Sequence, residues 1–515
     1  MTFAAVLARQ RPGEIALRSA GREMSWEQVD RLLKRMVNGL LAVPFRPDRR
    51  VAVFAENSAE TLLCYVAAML AGCSAVPVNF HLTADEAAYI FADAGVDVVL
   101  ADAATGRRAV EAARVAGAGL VVVRGEAVAG ARSWDDWLAS ASDVEPPVDH
   151  PPLPPLVYTS GTTGKPKGTP LPPTSFVGGA DIADHVERLK RNRWAEFGPH
   201  LVVGPMYHSG PLVSTRLLVA GVPVTVLGRF NAETVLSSID KYRIGSTVMV
   251  PTHFIRLLAL PPEVRARYDV SSLRYVLQVG AACPVDVKRS MIEWWGEVIW
   301  ESYGASEVGT TCLISATEWL AHVGSVGRPI PPFEALVVDE QGNELPPGRQ
   351  GRLYFRDTTG RGIVYHRAPE KERSVHLAPG VFTLGEVGYI DQDGYVYITD
   401  RFSDMVVSGG VNIYPAESEQ VLAAHPDVVE VACIGVPHPE MGEELKAVVV
   451  PRDPQSPPDP AELLTFCRDR LAHYKCPRSV AFLAALPRSA MGKLDKRTLK
   501  ERFASSGTLD QKIVS

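Results

Sequence analysis

The stretch from Tyr158 to Gly168, YTSGTTGKPKG, combines glycines, hydroxyl-bearing side chains and lysines. Backbone N–H groups of such a loop can surround a phosphate, and hydroxyls and lysine add donors and positive charge. The stretch departs from the common pattern G-x-x-x-x-G-K-[ST], because Pro166 follows the lysine after Gly164. Most loops of this composition are plain surface loops, so the assignment depends on the rest of the chain.

Four further segments place charged and hydroxyl side chains among glycines. They are ESYGASE (Glu301–Glu307), FTLGEVGYID (Phe382–Asp391), DRFSDMVVSGGVNIYPAE (Asp400–Glu417) and PRSAMGKLDK (Pro487–Lys496). Together with the first loop, and in this order, they resemble the motifs of the adenylate-forming superfamily. That superfamily includes acyl-CoA synthetases, luciferases and nonribosomal adenylation domains. The resemblance covers almost the whole chain and implies ATP, Mg²⁺ and CoA as cofactors or co-substrates.

The resemblance implies a set of phosphate-binding residues. Lys167 supplies charge to the β- and γ-phosphates, Ser306 contacts the α-phosphate, and Glu307 supports Mg²⁺, which prefers oxygen ligands. The remaining loop residues implied in phosphate binding are Thr159, Ser160, Gly161, Thr162, Thr163 and Gly164.

The adenosine part of ATP is assigned in the same way. Tyr303 resembles the residue that stacks on adenine, and Glu386 with Arg401 resembles the pair that binds the ribose. The superfamily usually has Asp where this chain has Glu386, and the extra methylene is expected to weaken the ribose contact and raise the KM for ATP. The other residues implied at the adenine and ribose are Gly280, Ala281, Ala282, Glu301, Ser302 and Gly304.

Lys493 resembles the lysine that holds the carboxylate and the α-phosphate together during adenylation. The superfamily then rotates its small C-terminal domain about a hinge, which falls at Ser403, where Asp or Lys is usual. The resemblance further implies that CoA contacts Ser408, Gly409, Gly410 and Lys475.

The acyl pocket is expected to be apolar. His208, in GPMYHSGP, resembles the gate beside the acyl carboxylate, and the segment VPTHFIRLL resembles one pocket wall. No acidic residue begins that segment, and no basic residue is conspicuous for a second carboxylate. The residues implied in the pocket are His208, His253, Phe254, Val279, Gly280 and Gly304.

Several phrases of the sequence look closest to the bile-acid–CoA-ligase-like branch of acyl-CoA synthetases. The interpretation is therefore an AMP-forming acid–thiol ligase for a fatty acid or a bulky acid such as a sterol side chain or bile acid. Three alternatives stay open: an acyl- or aryl-AMP ligase that serves a carrier protein, a nucleotide-binding homologue without turnover, and a luciferase-like oxygenase.

Composition and net charge narrow the classes of partner expected for the protein. The net charge of −6 over 515 residues gives no electrostatic case for a nucleic acid or an anionic membrane. Seven cysteines without C-x-x-C spacing, and a start without a signal peptide pattern, favour a cytoplasmic protein. A homodimer is left open.

The element pattern predicts an α/β protein. Apolar strands alternate with helices over Val96–Gly125, as in a parallel sheet, and strand–turn–strand patterns after Gly324 predict a small antiparallel unit. We expect a large N-terminal domain over residues 1–400, a hinge at 401–404 and a small mobile α/β domain over 405–515. The uncharged stretch Thr61–Phe80 is interpreted as a buried helix, a turn and a strand.

Overall fold

The computed structural model describes residues 3–159, 166–191, 193–339, 341–401, 406–413, 415–487, 494 and 496–504. In this part of the chain no helix has the length and hydropathy needed to cross a bilayer. The stretch from Thr61 to Phe80 contains most of a fully buried helix, then a turn and a short strand, as predicted. The α/β class is also confirmed.

A five-stranded parallel sheet forms the first layer of the N-terminal part. Its strands are β3 (Arg50–Phe54), β4 (Ser74–Pro77), β5 (Val96–Asp102), β6 (Leu120–Arg124) and β7 (Arg132–Ser133), in the order β4-β3-β5-β6-β7. Strand β5 buries all seven residues, as a parallel strand covered on both faces must. The covering helices are α2 (Trp26–Leu41), α3 (Ala59–Leu70) and α6 (Trp134–Ser140) on one face, and α4 (Ala84–Ala94) and α5 (Gly106–Ala116) on the other.

The second, larger sheet is mixed, and six neighbouring strands at one side of it run parallel. These strands are β1 (Ile15–Ser19), β10 (His200–Val202), β11 (Val224–Val226), β12 (Ser246–Met249), β13 (Tyr275–Gln278) and β14 (Ile299–Ala305), in the order β14-β13-β12-β10-β11-β1. Strand β2 (Arg22–Ser25) pairs antiparallel with β1 at the edge. Helices near these strands are α1 (Phe3–Gln10), α7 (Ile182–Lys190), α8 (Val213–Val219), α9 (Ala232–Tyr242), α10 (Pro251–Leu258), α11 (Pro262–Arg265) and α12 (Val285–Trp295).

The same sheet continues into the antiparallel unit expected after Gly324. It contains β15 (Gly309–Ser315), β16 (Ser325–Pro329), β17 (Phe333–Val338), β18 (Gly351–Asp357), β19 (His376–Ala378), β20 (Val381–Phe382), β21 (Glu386–Ile390) and β22 (Val396–Arg401). Helices α13 (Ala316–Ala321) and α14 (Pro369–Val375) lie between these strands in sequence. A separate hairpin joins β8 (Leu156–Thr159) to β9 (Lys167–Pro170).

The C-terminal part has its own five-stranded sheet. Its strands are β23 (Val406–Ser408), β24 (Val411–Ile413), β25 (Val428–His438), β26 (Gly442–Pro451) and β27 (Ser479–Phe482). Helices α15 (Pro415–Ala423), α16 (Pro460–Arg468) and α17 (Lys496–Ala504) accompany it. Strand β22 still belongs to the N-terminal sheet, while β23 belongs to this one. Residues 402–405, which include the expected hinge Ser403, lie outside the described residues.

Candidate active site

The predicted site residues gather at the carboxyl edge of the parallel strands. His208 follows β10, Val250 follows β12, and Gly280 follows β13. Tyr303 lies at the carboxyl end of β14 itself, and Glu307 comes directly after that strand. Open α/β sheets bind their ligands at this edge, because the loops there converge from neighbouring strands.

The ends of the phosphate loop are held by the β8–β9 hairpin. Thr159 and Lys167 are paired across it, which fixes the two ends of the segment between them. The Tyr158 hydroxyl donates to Asp93 at 2.6 Å, and the Tyr89 hydroxyl donates to the Pro166 carbonyl at 3.2 Å. The loop residues Ser160, Gly161, Thr162, Thr163 and Gly164 lie outside the described residues, so their roles stay predictions.

Glu307 lies directly beside this loop. Its side chain is buried, and Thr159 Oγ1 donates to its Oε1 at 2.9 Å. The Tyr365 hydroxyl donates to the same oxygen at 3.4 Å. Ser306 Oγ lies 3.0 Å from Ser209 Oγ. The structure thus brings the carboxylate and the hydroxyls together as an oxygen-rich set of the kind Mg²⁺ prefers.

Two basic residues near Glu307 were missed by sequence reasoning. Arg361 donates to the Glu307 carbonyl at 3.5 Å. Burial lowers the pKa of Lys371, while Glu307 raises it and Lys167 lowers it, so both charges lie within electrostatic reach. The charge-rich segment RGIVYHRAPEKER, which contains both residues, was the available signal.

The predicted adenosine residues Tyr303 and Glu386 are in contact. The Tyr303 hydroxyl donates to Glu386 Oε2 at 2.7 Å, and Glu386 is buried. The backbone of Arg401 pairs with that of Glu386 in the β21–β22 hairpin. The carboxylate of Glu386 therefore reaches the tyrosine hydroxyl, and its contact with the ribose stays a prediction. The Arg401 side chain lies outside the described residues.

Four other predicted nucleotide-binding residues lie in the turn after β13 and on β14. Gly280, Ala281 and Ala282 form the turn after β13, where the Gln278 amide donates to the Ala281 carbonyl at 2.8 Å. Ser302 Oγ lies 2.8 Å from Thr310 Oγ1.

Glu301 and Gly304, which were also predicted at the nucleotide, make contacts that support the structure of β14. The Glu301 side chain is buried against the ammonium of Lys288, which itself lies over the Trp319 ring. The Glu301 carboxylate is thus engaged by Lys288, and the predicted contact of Glu301 with the nucleotide stays a prediction. A Cβ on Gly304 would come 1.9 Å from the Gly309 carbonyl oxygen, so the bend at this point admits only glycine.

The exposure of alternate residues along β13 indicates where the expected acyl cavity lies. Tyr275, Leu277 and Val279, every second residue of this central strand and its end, retain accessible surface, whereas Val276 and Gln278 are buried. A central strand exposes alternate residues only where its face borders an open space. The predicted pocket residue Val279 is among them, and Gly210 lies opposite, where a Cβ would be 3.6 Å from the Val279 side chain.

His208, the predicted gate, lies in the loop after β10 beside Tyr207, with 4.4 Å between the ring centroids. Burial lowers the pKa of His208 to about 4, so the imidazole is neutral at physiological pH. A neutral ring can donate one hydrogen bond to a carboxylate without adding charge.

His253 and Phe254, the two residues predicted in one wall of the acyl pocket, have different surroundings. The His253 ring stacks on Phe230 at 4.3 Å, and its Nδ1 accepts from the Val250 N–H at 3.4 Å. Phe254 has no exposed surface and packs against Trp295 in the core between α10 and α12. Its assignment to the pocket is wrong, because neighbouring helical residues point about 100° apart and this one points to the core.

The loop Ser408–Gly410 of the C-terminal part approaches the same edge. A Cβ on Gly410 would come 3.0 Å from the Val250 side chain, and one on Gly280 would come 3.8 Å from the Gly410 carbonyl oxygen. Gly409 donates its N–H to the Met441 carbonyl at 2.8 Å. This close approach requires glycine and brings the predicted CoA-binding loop next to the acyl cavity.

Lys475 has a structural role in place of the expected contact with a CoA phosphate. Its ammonium donates to Glu417 at 2.7 Å and to Glu86, on the N-terminal helix α4, at 2.9 Å. Burial acts to lower the pKa of Lys475, but neighbouring groups, including both carboxylates, raise it overall. The side chain is buried between these partners and connects the two parts of the protein. Lys493 lies outside the described residues, and its role stays a prediction.

Comparison with known proteins identifies the family. Residues 5–362 match the family model "AMP-binding enzyme", and residues 417–493 match "AMP-binding enzyme C-terminal domain". A feruloyl-CoA synthase from Amycolatopsis sp is 34% identical over 96% of this chain and 97% of the relative. The fatty acid–[acyl-carrier-protein] ligase ScoC of Streptomyces coeruleorubidus is 33% identical over 96% of this chain and 95% of the relative.

A solved structure resembles the fold over the whole length. The amide bond synthetase McbA from Marinactinospora thermotolerans superposes with a TM-score of 0.83 at 27% identity, covering 98% of this chain and 100% of that one. The matched domains, the order of the motifs and the site at the carboxyl edge agree. The chain therefore belongs to the AMP-binding enzymes and is an adenylate-forming acid–thiol ligase.

Proposed function

We propose that this protein is an AMP-forming acyl-CoA synthetase for a bulky carboxylic acid with a largely apolar body. The observation that carries the proposal is the loop Ser408–Gly410, which meets Val250 and Gly280 beside the acyl cavity. That loop offers a route for a pantetheine thiol to the carbonyl of an acyl group held against β13.

In the first step, a carboxylate oxygen attacks the α-phosphorus of ATP, the acyl-adenylate forms, and pyrophosphate leaves. Two anions must approach each other, so neutralising charge is the main catalytic requirement. Lys167, Lys371 and Arg361 supply positive charge near the phosphate loop, and Lys493 is the proposed cation at the reacting oxygens.

Glu307 and its hydroxyl neighbours fit a magnesium ion. The buried carboxylate accepts from Thr159 and Tyr365, which gives an oxygen-only donor set. When bound, Mg²⁺ would shield the charge of the pyrophosphate leaving group. The protein's own contribution is to hold that carboxylate at the start of the loop.

In the second step, the CoA sulfur attacks the acyl carbonyl, a thioester forms, AMP leaves, and the thiol proton is released. A cleft of about 290 Å³ between the two parts of the chain supports CoA as the thiol. Arg108 and Arg229 from the N-terminal part and His473 from the C-terminal part line it. Glu56 also lines the cleft and lies 3.6 Å from Arg229, so Arg108 is the proposed cation for the phosphates at the nucleotide end of CoA.

A row of aromatic rings connects this cleft with the gate. Tyr207 contacts both His208 and Phe80, with centroid distances of 4.4 and 5.4 Å, and Phe80 contacts His81 at 4.3 Å. His81 lines the cleft. The row is aromatic and continuous, as a surface for the pantetheine arm should be.

The far part of the acyl cavity supports a bulky apolar acid. Tyr275 stacks on Phe197 at 4.9 Å and meets Trp194 edge-on at 4.7 Å. Val213 and Val248 add aliphatic surface. The relative that acts as a feruloyl-CoA synthase favours an aryl or ring-containing acid over a short one.

The second candidate is an acyl-AMP ligase that delivers to a carrier protein, which the similarity to ScoC favours. Both candidates use a pantetheine thiol, but only CoA also carries nucleotide phosphates that the cleft at Arg108 would bind.

The test is acid-dependent AMP formation with CoA, with pantetheine and with neither, over fatty, aryl and sterol-derived acids. We expect turnover with CoA at a lower KM than with pantetheine. AMP formation that does not depend on either thiol would support the ligase instead.

A further inference from the structure

Arg216 lies on α8, in the sequence VSTRLLV, beside the acyl cavity. All six other residues of this helix are buried, and Arg216 alone retains accessible surface. One turn before it, Val213 packs with Val248 and Val279, and Leu217 directly after it joins the same cluster. Residues three apart share a helix face, so Arg216 lies on the face of α8 that carries Val213 toward β12 and β13.

The charge of Arg216 is nevertheless deep inside the protein. Burial alone lowers the pKa of Arg216 to about 10, and no carboxylate contributes to that pKa. Desolvation disfavours the charged form, so the folded protein holds this guanidinium in a poorly hydrated place. The groups around the cavity, Trp194, Leu277 and Val279, are apolar or aromatic.

No partner compensates this charge in the part of the chain that the structure describes. The Arg216 guanidinium has no hydrogen bond and no ion pair there. Its electrostatic neighbour His185 uses Nδ1 to donate to the Gly178 carbonyl at 2.7 Å, and Arg216 lowers the pKa of that ring. An unpaired buried cation is costly, so a partner from a bound ligand would stabilise it strongly.

We propose that Arg216 is a specificity-determining residue, which binds an acceptor oxygen on the distal part of the acyl group. Guanidinium only donates hydrogen bonds, so the matching group is a ketone, carboxylate or phenolate oxygen. The inference rests on the proposed function and narrows its substrate class: an acid with an apolar body and one distal acceptor. It departs from the expectation of a neutral, apolar acid, which did not consider this arginine inside an apolar segment.

The test compares matched acids on the full-length enzyme. Straight-chain alkanoic acids are paired with their ω-carboxy and ω-oxo derivatives over a range of chain lengths, and 3-cyclohexylpropanoate is paired with its 4-oxo derivative. For each pair, kcat/KM for CoA-dependent AMP formation is measured with wild type, Arg216→Met and Arg216→Lys. Arg188→Met, which removes an exposed arginine from the neighbouring helix α7, is the matched control.

We expect wild type to prefer the acceptor-bearing acid of the best-fitting pair by about 10- to 100-fold. Arg216→Met should reverse or abolish that preference, because the acceptor would then be buried without a donor. Arg216→Lys should retain part of it, which gives a second readout if the methionine variant does not fold. Arg188→Met should keep the wild-type ratio.

Two results would overturn the inference while leaving the proposed function in place. One is wild-type preference for the unsubstituted acid in every pair, and the other is an unchanged ratio in Arg216→Met. By contrast, failure of every acid to support CoA-dependent turnover would contradict the proposed function itself.

Discussion

The contact between Lys475 and Glu86 gives a sharp prediction, because it crosses from the C-terminal part to the N-terminal helix α4. Glu86 accepts from the Lys475 ammonium at 2.9 Å and from the Ala472 N–H at 3.1 Å. Both bonds exist in the arrangement that brings Ser408–Gly410 beside Val250. Glu86→Gln keeps the side chain's shape and the helix cap but removes its charge, while Lys475 retains Glu417.

The expected size follows from the burial of the pair. The side chains of Lys475 and Glu86 are 5% and 14% exposed, so solvent screens their interaction only weakly. A hydrogen bond between charged groups contributes about 1.5–3 kcal/mol, which corresponds to about a 10- to 100-fold change in the population of this arrangement. Glu86→Gln should therefore slow CoA attack on supplied acyl-adenylate by about tenfold or more. Acid-dependent exchange of pyrophosphate into ATP should change little.

The assay follows the two half-reactions separately by rapid quench. Asp85→Asn is the control, since it removes an exposed charge from the same turn of α4. Equal losses in both half-reactions, or an unaffected CoA step, would refute the link between this contact and thioester formation.

Three further predictions address the chemistry and its dependence on pH. Lys493→Ala should abolish adenylation while CoA attack on supplied acyl-adenylate continues; equal losses in the two half-reactions, each measured separately, would exclude that role. Glu386→Asp should lower the KM for ATP, and equal values in initial-rate assays would contradict the ribose assignment. Burial lowers the pKa of His200, His208 and His253 to about 3, 4 and 3. Below pH 6.5 the unfolded chain binds protons that the folded chain does not, so the free energy of unfolding should fall by up to about 1.4 kcal/mol per pH unit for each histidine. Urea unfolding between pH 7.5 and 5 measures this, and a flat profile would contradict it.

Motifs made of neighbouring residues could be predicted well from the sequence. The phosphate loop ends at Thr159 and Lys167, and Glu307 lies beside them, as the order of motifs implied. Apolar runs and turn residues likewise located the βαβ unit around Val96–Gly125, because burial on both faces leaves a clear pattern.

Contacts between distant segments could not be predicted in the same way. Tyr365 and Lys371 reach Glu307 from a segment without a recognisable motif. Lys475 was assigned to a phosphate because its sequence neighbours give no sign of Glu86, which lies on another part of the chain.

Side-chain direction was the other source of error. His253 and Phe254 are adjacent in sequence, but α10 turns the second into the core. Arg216 was overlooked because an arginine among aliphatic residues looks like a helix surface position, and only the packing of α8 shows that its neighbours Val213 and Leu217 lie in the cluster at β12 and β13.

The most direct test of the account follows a single turnover with the best acid. The enzyme first receives ATP and acid without CoA, and bound acyl-adenylate is quantified by mass spectrometry; CoA is then added as a chase. The account predicts that the acyl-adenylate converts to acyl-CoA in an amount equal to the AMP released. Acyl-adenylate that survives the CoA chase and transfers only to a phosphopantetheinyl carrier protein would contradict it.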